Sequence, residues 1–131
     1  MSTLALISKP VVQRVFLLDA VTCLVMGVAL LAGATKLAPL FGLPPNLLSI
    51  AGLLLLPSAA FIAWVATREE RPYLGVLAVL AGNALWIVAS VVVLLGVPVS
   101  PSALGLVFVG GQALGVLVFT LLEAGALRRW S

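Results

Sequence analysis

The sequence has no histidine and a single cysteine, Cys23. Without histidine there is no histidine-ligated haem, no zinc or copper site of the usual kind, and no catalysis that uses imidazole as the base. One cysteine cannot form a disulfide within the chain, and it cannot form a CxxC redox centre. We therefore expect no metal, no cofactor and no catalytic residues, and we do not expect an enzyme.

Charge is also scarce. Only 8% of the 131 residues are charged, whereas 63% are hydrophobic. Soluble globular chains carry about 25% charged residues, and each helix of a soluble bundle needs a polar face. Seven basic and four acidic residues are too few to supply such faces. The composition predicts an integral membrane protein, and the scattered basic residues do not indicate a nucleic-acid partner.

The charged residues and the turn-forming residues divide the chain into four apolar runs. A helix needs about 20 apolar residues to cross a hydrocarbon core about 30 Å thick. Proline and glycine interrupt the longest runs at Pro39–Asn46 and at Gly96–Ser102. We predict an all-α protein, a four-helix antiparallel transmembrane bundle forming one membrane domain over residues 1–131, with spans at roughly 15–38, 47–67, 73–96 and 102–127.

The basic residues predict the orientation of these spans. With four spans, the N-terminus, the second loop and the C-terminus lie on one side of the membrane. The opposite side carries only Lys36, and the first side carries the other six basic residues: Lys9, Arg14, Arg68, Arg71, Arg128 and Arg129. The positive-inside rule then places both termini in the cytoplasm. We expect a multi-pass protein of a bacterial inner membrane, whose partners are the lipid bilayer and either other membrane subunits or further copies of itself.

Two carboxylates lie inside the predicted spans. Asp19 is five residues inside Arg14, and Glu123 is five residues inside Arg128. Each is therefore roughly 7 Å from the charged end of its helix. Both ends are predicted to be cytoplasmic, so the two carboxylates are predicted to lie at the same depth.

These two carboxylates have two interpretations. They could form a titratable pair that relays protons or cations towards Asn83 and Gln112 near the middle of the membrane. Alternatively they could anchor helix ends at the interface by pairing with Arg14, Arg128 or Arg129. A depth of roughly 7 Å is still interfacial, which favours anchoring.

Two amides lie deeper in the third and fourth predicted spans. Asn83 is twelve residues from Arg71, about 18 Å deep. Either Asn83 and Gln112 form an interhelical hydrogen bond worth roughly 1 kcal/mol, which we favour, or they belong to a small polar cavity. The residues predicted to line that cavity share a face with Asn83 or lie at a proline kink in the second span: Trp86, Ser90, Pro57 and Ser58.

Small residues recur four positions apart, as in Ala29 and Gly33 or Ala78 and Gly82. This spacing allows the backbones of two membrane helices to approach closely. We predict helix packing at four glycines, Gly33, Gly82, Gly111 and Gly115. Contacts within the bundle are favoured over a homo-oligomer interface.

The first span resembles the start of DoxX-like proteins, a broad set of small bacterial four-helix membrane proteins. The resemblance rests on Leu24-Val25-Met26-Gly27 and on Ala32-Gly33-Ala34-Thr35-Lys36-Leu37, in which a mid-helix glycine, a second glycine and an outer Lys-Leu pair recur. It covers helix one only. It implies a four-helix bundle and a role in membrane redox complexes, and it carries over no functional residue.

The chain has almost no predicted mass outside the membrane, so its function is expected within the bilayer. The leading hypothesis is a non-enzymatic accessory or scaffold subunit of a membrane assembly. The alternative is a small oligomeric proton- or cation-coupled transporter or channel that uses the intramembrane carboxylates. A weaker alternative is a module that binds a quinone or a lipid at Trp86 and the Pro57 kink.

Overall fold

A computed structural model describes residues 9–70, 72–96 and 101–126 of the chain. Every regular element in these residues is a helix: α1 (Lys9–Phe41), α2 (Pro45–Ala66), α3 (Tyr73–Leu94) and α4 (Ala103–Glu123). All four are long enough and apolar enough to cross a membrane. The predictions of an all-α fold and of four helices able to span a membrane are confirmed for the described residues. Arg128 and Arg129, predicted as anchoring partners, lie outside the described residues.

Helix α1 is longer than predicted at both ends, because it runs from Lys9 to Phe41. Pro39 lies inside its last turn instead of ending it. Its missing N–H removes one backbone bond, the one to the Thr35 carbonyl, and the helix continues for only two more residues. The helix ends at Gly42, whose φ of 64° is left-handed. The Leu43 N–H donates to the Ala38 carbonyl at 3.1 Å, closing a Schellman motif.

The other helix ends follow local sequence chemistry. Pro45 occupies the first turn of α2, where its missing N–H costs nothing. Gly96 follows α3 with a φ of 76°. Ser102 precedes α4, and its Oγ accepts the Gly105 N–H at 3.1 Å as an N-cap. These ends lie within a few residues of the predicted ones.

The helices form two antiparallel hairpins. The closest packing is between α1 and α2, where Gly27 faces Gly52. A Cβ on Gly52 would lie 2.7 Å from the Gly27 carbonyl oxygen, which is too close for any other residue. Helices α3 and α4 form the second hairpin. The hairpins meet mainly through α1 and α4, whereas α2 and α3 barely touch.

The predicted packing glycines do not make these close approaches. A Cβ on Gly82, Gly111 or Gly115 would meet nothing within 4 Å, and one on Gly33 would meet only Leu37 of the same helix. The expected internal contacts at these glycines are therefore wrong. A four-residue spacing places small residues on one face of a helix, but it does not determine which face turns inward. The glycines in close contact are Gly27, Gly52 and Gly105.

Two apolar cores lie at the two ends of the helices. The first core surrounds Phe16 near the start of α1 and is formed by Val12, Phe16, Ala20, Ile62, Val65, Ala66, Val76, Val79 and Ala126. The second core surrounds Phe41 at the end of α1 and is formed by Leu30, Ala34, Ala38, Phe41, Leu43, Leu48, Leu55 and Val109. Cys23 packs against both, so its level on α1 separates them.

Candidate functional site

A pair of buried carboxyl groups lies between α1 and α4, next to the first core. Asp19 of α1 is 3% exposed and Glu123 of α4 is fully buried. Their carboxyl groups lie within hydrogen-bonding contact of each other. Asp19 faces inward because it shares a side of α1 with Phe16 and Ala20, which the first core buries. The predicted shared depth of Asp19 and Glu123 thus corresponds to direct contact.

Each carboxyl group has one oxygen with a donor and one without. Glu123 Oε1 accepts an N–H from Asn83 Nδ2 at 2.8 Å. Asp19 Oδ1 accepts the Cys23 thiol at 3.6 Å. Asp19 Oδ2 and Glu123 Oε2 are buried and have no hydrogen-bond partner among the described residues. Because buried polar atoms are almost always paired, these two oxygens require an explanation.

No basic side chain of the described residues bonds either carboxyl group. Helices α2, α3 and α4 contain no lysine or arginine within their bounds. Arg14, the predicted partner of Asp19, is exposed. An ion pair between Asp19 and Arg14 is therefore not what buries Asp19, and the proposed pairing of Glu123 with Arg128 or Arg129 falls outside the described residues.

The residues of the site lie at different distances from the ends of their helices, and Glu123 is the last residue of α4. Asn83 is the middle residue of the 22-residue helix α3, about 15 Å from its start. Asp19 is ten residues into α1, also about 15 Å from its start. Glu123 meets Asn83 because α4 is staggered along α3, so that Ala126 packs in the first core beside Val76 and Val79. In addition, side chains of α4 lean towards its N-terminus and hence deeper.

A second polar network joins α3 to α4 around Gln112. Its Oε1 accepts the Trp86 Nε1–H at 2.6 Å, and its Nε2 donates to Ser90 Oγ at 2.9 Å. Nε2 also donates to the Val109 carbonyl at 3.1 Å. Asn83 and Gln112 therefore each bond another partner, and the expected bond between them is wrong. The stagger of α4 sets Asn83 opposite Glu123 instead.

The Gln112 network is saturated. Both amide hydrogens and the amide oxygen of Gln112 are bonded. Ser90 accepts from Gln112 and donates to the Trp86 carbonyl at 2.8 Å. A network whose donors are all used holds two helices together but has no donor left for a ligand. Trp86 and Ser90 thus join α3 to α4, which agrees with the favoured role of polar residues in helix packing and not with the alternative of an open polar cavity.

Pro57 and Ser58 of α2 are not part of the Gln112 network. Both are exposed on α2, and Ser58 Oγ donates to the Leu54 carbonyl of the same helix at 2.8 Å. Their predicted part in a cavity with Trp86 is therefore wrong. A groove of about 330 Å³ does lie between α3 and α4, but its lining is entirely apolar: Ile87, Val91, Leu94, Gly110, Ala113, Leu114 and Leu117.

The C-terminal end of α1 contacts the N-terminal end of α4, and the sequence did not predict this contact. Ser102 donates its N–H to the Phe41 carbonyl at 2.9 Å and its Oγ–H to the Leu40 carbonyl at 2.7 Å. Gly105 packs so closely on the Phe41 carbonyl that a Cβ would clash with it. The rings of Phe41 and Phe108 stack with centroids 4.5 Å apart. A serine before an apolar run indicates a helix start, but not which carbonyls that serine binds.

No protein-family model, curated protein or solved structure matches the chain. The resemblance of the first helix to DoxX-like proteins stays a prediction. The function must therefore be argued from the geometry of the carboxyl pair and its surroundings.

Proposed function

We propose that the protein is a small proton-coupled transport protein, in which Asp19 and Glu123 together bind the coupled proton. The observation that supports this proposal is the pair of contacting, buried carboxyl groups, each with one oxygen that lacks a partner. This choice favours the transporter alternative over the scaffold hypothesis, because a scaffold has no need for a buried acid pair.

A shared proton accounts for both orphan oxygens. Two ionised carboxyl groups in contact repel each other, and nothing basic among the described residues offsets that repulsion. One proton between them becomes a hydrogen bond that is donated by one group and accepted by the other. The Asn83 amide donates to Glu123 and the Cys23 thiol donates to Asp19, so the singly protonated pair has all its inner oxygens bonded.

The position of the pair also supports a functional role. Asp19 and Glu123 are both buried, and burying an ionisable residue within a membrane is costly, up to about 2.5–3.5 kcal/mol at the centre of a membrane helix. Replacing a buried polar pair by apolar residues is often neutral or stabilising, so packing alone gives little reason for two acids there. Acids at this depth mark proton and ion pathways in membrane proteins.

The proposal includes an orientation. Four antiparallel helices form one bundle in a bacterial inner membrane, with both termini in the cytoplasm. Six of the seven basic residues then lie on the cytoplasmic side, as the positive-inside rule requires. Helices α1 and α3 start on that side and α4 ends there, so Asp19 lies about 15 Å from the start of α1 and Glu123 lies at the end of α4.

The test is proton flux in liposomes that contain only this protein, followed with an internal pH-sensitive dye under an imposed pH gradient. We expect Asp19→Asn and Glu123→Gln each to reduce flux by about a hundredfold or more, because a positioned proton-transfer group typically contributes about 10²–10⁴-fold. Glu70→Gln removes an exposed loop carboxylate, and Thr22→Val removes an exposed hydroxyl one turn from Asp19. Both controls should retain the flux of the unmodified protein.

Two outcomes would overturn this proposal. One is flux that is unchanged in Asp19→Asn and in Glu123→Gln. The other is flux carried by sodium or potassium without proton movement, which would make the pair a cation site. An infrared carbonyl band of a protonated carboxyl group, lost in Asp19→Asn, would show the bound proton directly.

The accessory-subunit hypothesis is retained as a second candidate because of one observation. Gly111 and Gly115 on α4, like Gly82 on α3, are exposed with open space beside them. Membrane helices associate through such small residues. Under this candidate, a membrane subunit co-purifies in mild detergent at fixed stoichiometry and is lost in Gly111→Leu or Gly115→Leu, while Leu114→Ala, at an exposed position nearby, retains it.

The quinone- or lipid-binding alternative gains less support. The groove between α3 and α4 has no polar side chain to orient a quinone headgroup. The nearest hydrogen-bonding groups, those of Gln112 and Ser90, are already used within the Gln112 network.

A further inference from the structure

Each hairpin is rigid within itself. The Gly27 and Gly52 backbones of α1 and α2 pack too closely to slide past each other. Helices α3 and α4 are tied by the saturated Gln112 network and by the bond from Asn83 to Glu123. These two units therefore move, if at all, as whole bodies.

The contact between the hairpins is firm at one end. There Ser102 bonds the carbonyls of Leu40 and Phe41, and the Phe41 ring stacks on Phe108. The acceptors are backbone carbonyls, which do not titrate. The close contact of Gly105 with the Phe41 carbonyl also holds this end together, so any relative movement of the hairpins has to pivot here.

The contact at the other end depends on protonation. Asp19 of the first hairpin meets Glu123 of the second, beside the apolar contacts of the first core. Helices α2 and α3 touch over a short stretch only, and that stretch lies at this end, where Val65 is beside Gly75 and both helices contribute to the first core. Within their bounds neither helix has a carboxylate, a lysine or an arginine. The carboxyl pair is thus the titratable connection between the two hairpins.

We propose that the Asp19–Glu123 pair is a proton-operated latch between two rigid hairpins that hinge at the contact of Ser102 with Phe41. This inference rests on the proposed function and names how the bound proton regulates the fold. With one proton bound, the pair is a hydrogen bond and the hairpins stay closed. With both groups ionised, repulsion opens the end of the molecule that holds the first core.

Among the residues that the structure describes, few other groups compete for this role. On α1, Cys23 faces the pair as a thiol donor, and Arg14 is exposed. Helix α2 has no ionisable side chain, α3 presents the neutral Asn83, and Tyr73 lies ten residues away at the start of α3. Helix α4 contributes Glu123 alone. Raising the pH removes the shared proton, so the latch is closed at low pH and opens as the pH rises.

The test measures two distances by pulsed electron resonance on spin labels in lipid nanodiscs. Labels attached through a non-natural keto amino acid leave Cys23 intact. Leu18 and Leu121, both exposed, report on the latch end, and Leu40 and Leu104, also exposed, report on the hinge end. We expect a longer-distance population at the latch end that grows with pH, and an unchanged distance at the hinge end.

The double variant Asp19→Asn, Glu123→Gln is the decisive comparison, because it keeps hydrogen-bonding groups but cannot ionise. It should stay closed at every pH tested. An unchanging latch-end distance in the unmodified protein, equal movement at both ends, or opening of the double variant would each overturn the latch. If flux needs Asp19 but no opening occurs, the latch fails and the proposed function survives; if neither flux nor a protonated carboxyl band is found, the proposed function itself fails.

Discussion

At the scale of single residues, hydrogen-bond satisfaction separates structural polar groups from functional ones. Gln112 uses all its amide hydrogens within the protein. Asp19 and Glu123 each keep a buried oxygen without a partner among the described residues. Buried polar networks that are fully satisfied rigidify a protein, whereas unsatisfied groups mark a site with another purpose.

The first prediction concerns the stability of the acid pair. Asp19→Leu leaves the buried Glu123 carboxyl without the group it contacts, and we expect it to lower the free energy of unfolding by about 2 kcal/mol. Asp19→Asn supplies an N–H to the same carboxyl and should change stability by less than about 1 kcal/mol. Unfolding in mixed micelles against the mole fraction of a denaturing detergent measures both. Equal stability of the two variants would contradict a hydrogen-bonded pair.

The sequence predicts that Asp19 and Glu123 lie at the same depth, but it does not predict what that depth is. Because Asp19 and Glu123 stand at equal distances from basic residues, their shared depth follows from counting. Their absolute depth does not, because it depends on the stagger of α4 along α3, which is set by packing of residues such as Ala126 in the first core. The same stagger explains why Asn83 bonds Glu123 and not Gln112.

At the scale of helices, the C-terminus of α1 is hydrogen-bonded to the N-terminus of α4. The α1 C-terminus carries the partial negative charge of its unpaired carbonyls, and the α4 N-terminus carries the partial positive charge of its N–H groups. Ser102 connects them by capping α4 and bonding the last carbonyls of α1 at once. The contact satisfies groups that would otherwise be unpaired in lipid.

The second prediction tests this contact. Gly105→Ala places a methyl group against the Phe41 carbonyl, and we expect a loss of about 3 kcal/mol in unfolding free energy, the upper range for overpacking. Gly111→Ala is the matched control on the same helix, since a Cβ there meets nothing within 4 Å. The unfolding free energy of Gly111→Ala should rise by up to about 1 kcal/mol, because alanine has a higher helix propensity than glycine. A Gly105→Ala protein as stable as Gly111→Ala would contradict the close approach.

The third prediction concerns the Gln112 network. Gln112→Leu leaves the Trp86 N–H without its acceptor, and we expect the unfolding free energy to fall by about 1–2 kcal/mol. Proton flux should stay within about twofold of the unmodified protein, because the network has no proton to exchange. In a protein that already carries Trp86→Phe, which removes the N–H and keeps the ring, Gln112→Leu should lower the unfolding free energy by less, because no N–H is left without an acceptor. A tenfold loss of flux would place Gln112 in the pathway instead.

The helices themselves were largely predictable, because runs of apolar residues between charges must be helical in lipid. Their packing faces were not. The spacing of Gly111 and Gly115 is the same whether the pair turns inward or outward. Gly27 and Gly52, which bring α1 and α2 into close contact, stand alone in apolar runs and carry no comparable spacing. Which face turns inward is decided by the fit of all four helices together.

At the scale of the whole molecule, the placement of charge is asymmetric. The described loop between α2 and α3 holds Arg68, Glu69 and Glu70, and Gln13 Nε2 of α1 bonds the Arg68 carbonyl at 3.0 Å. The opposite side holds Lys36 as its basic residue. This asymmetry supports the orientation in the proposed function.

The fourth prediction tests that orientation. In intact cells, a membrane-impermeant thiol reagent should label Lys36→Cys but not Glu70→Cys, and after the membrane is opened it should label both. Cysteines at Ser2 and Ser131 should behave as Glu70→Cys does. Cys23 of the unmodified protein, which lies within α1, provides the background signal. Labelling of Glu70→Cys in intact cells would invert the topology.

The acid pair can form only late in the synthesis of the chain. Asp19 and Glu123 are 104 residues apart (123 − 19), and Ser102 binds a carbonyl 62 residues earlier. At about 5–20 residues per second, Asp19 waits roughly 5–20 s in the membrane before its partner is made. Through that interval the first hairpin persists on the close contact of Gly27 and Gly52. A chain cut short before α4 therefore carries Asp19 without the carboxyl group that it contacts in the complete fold.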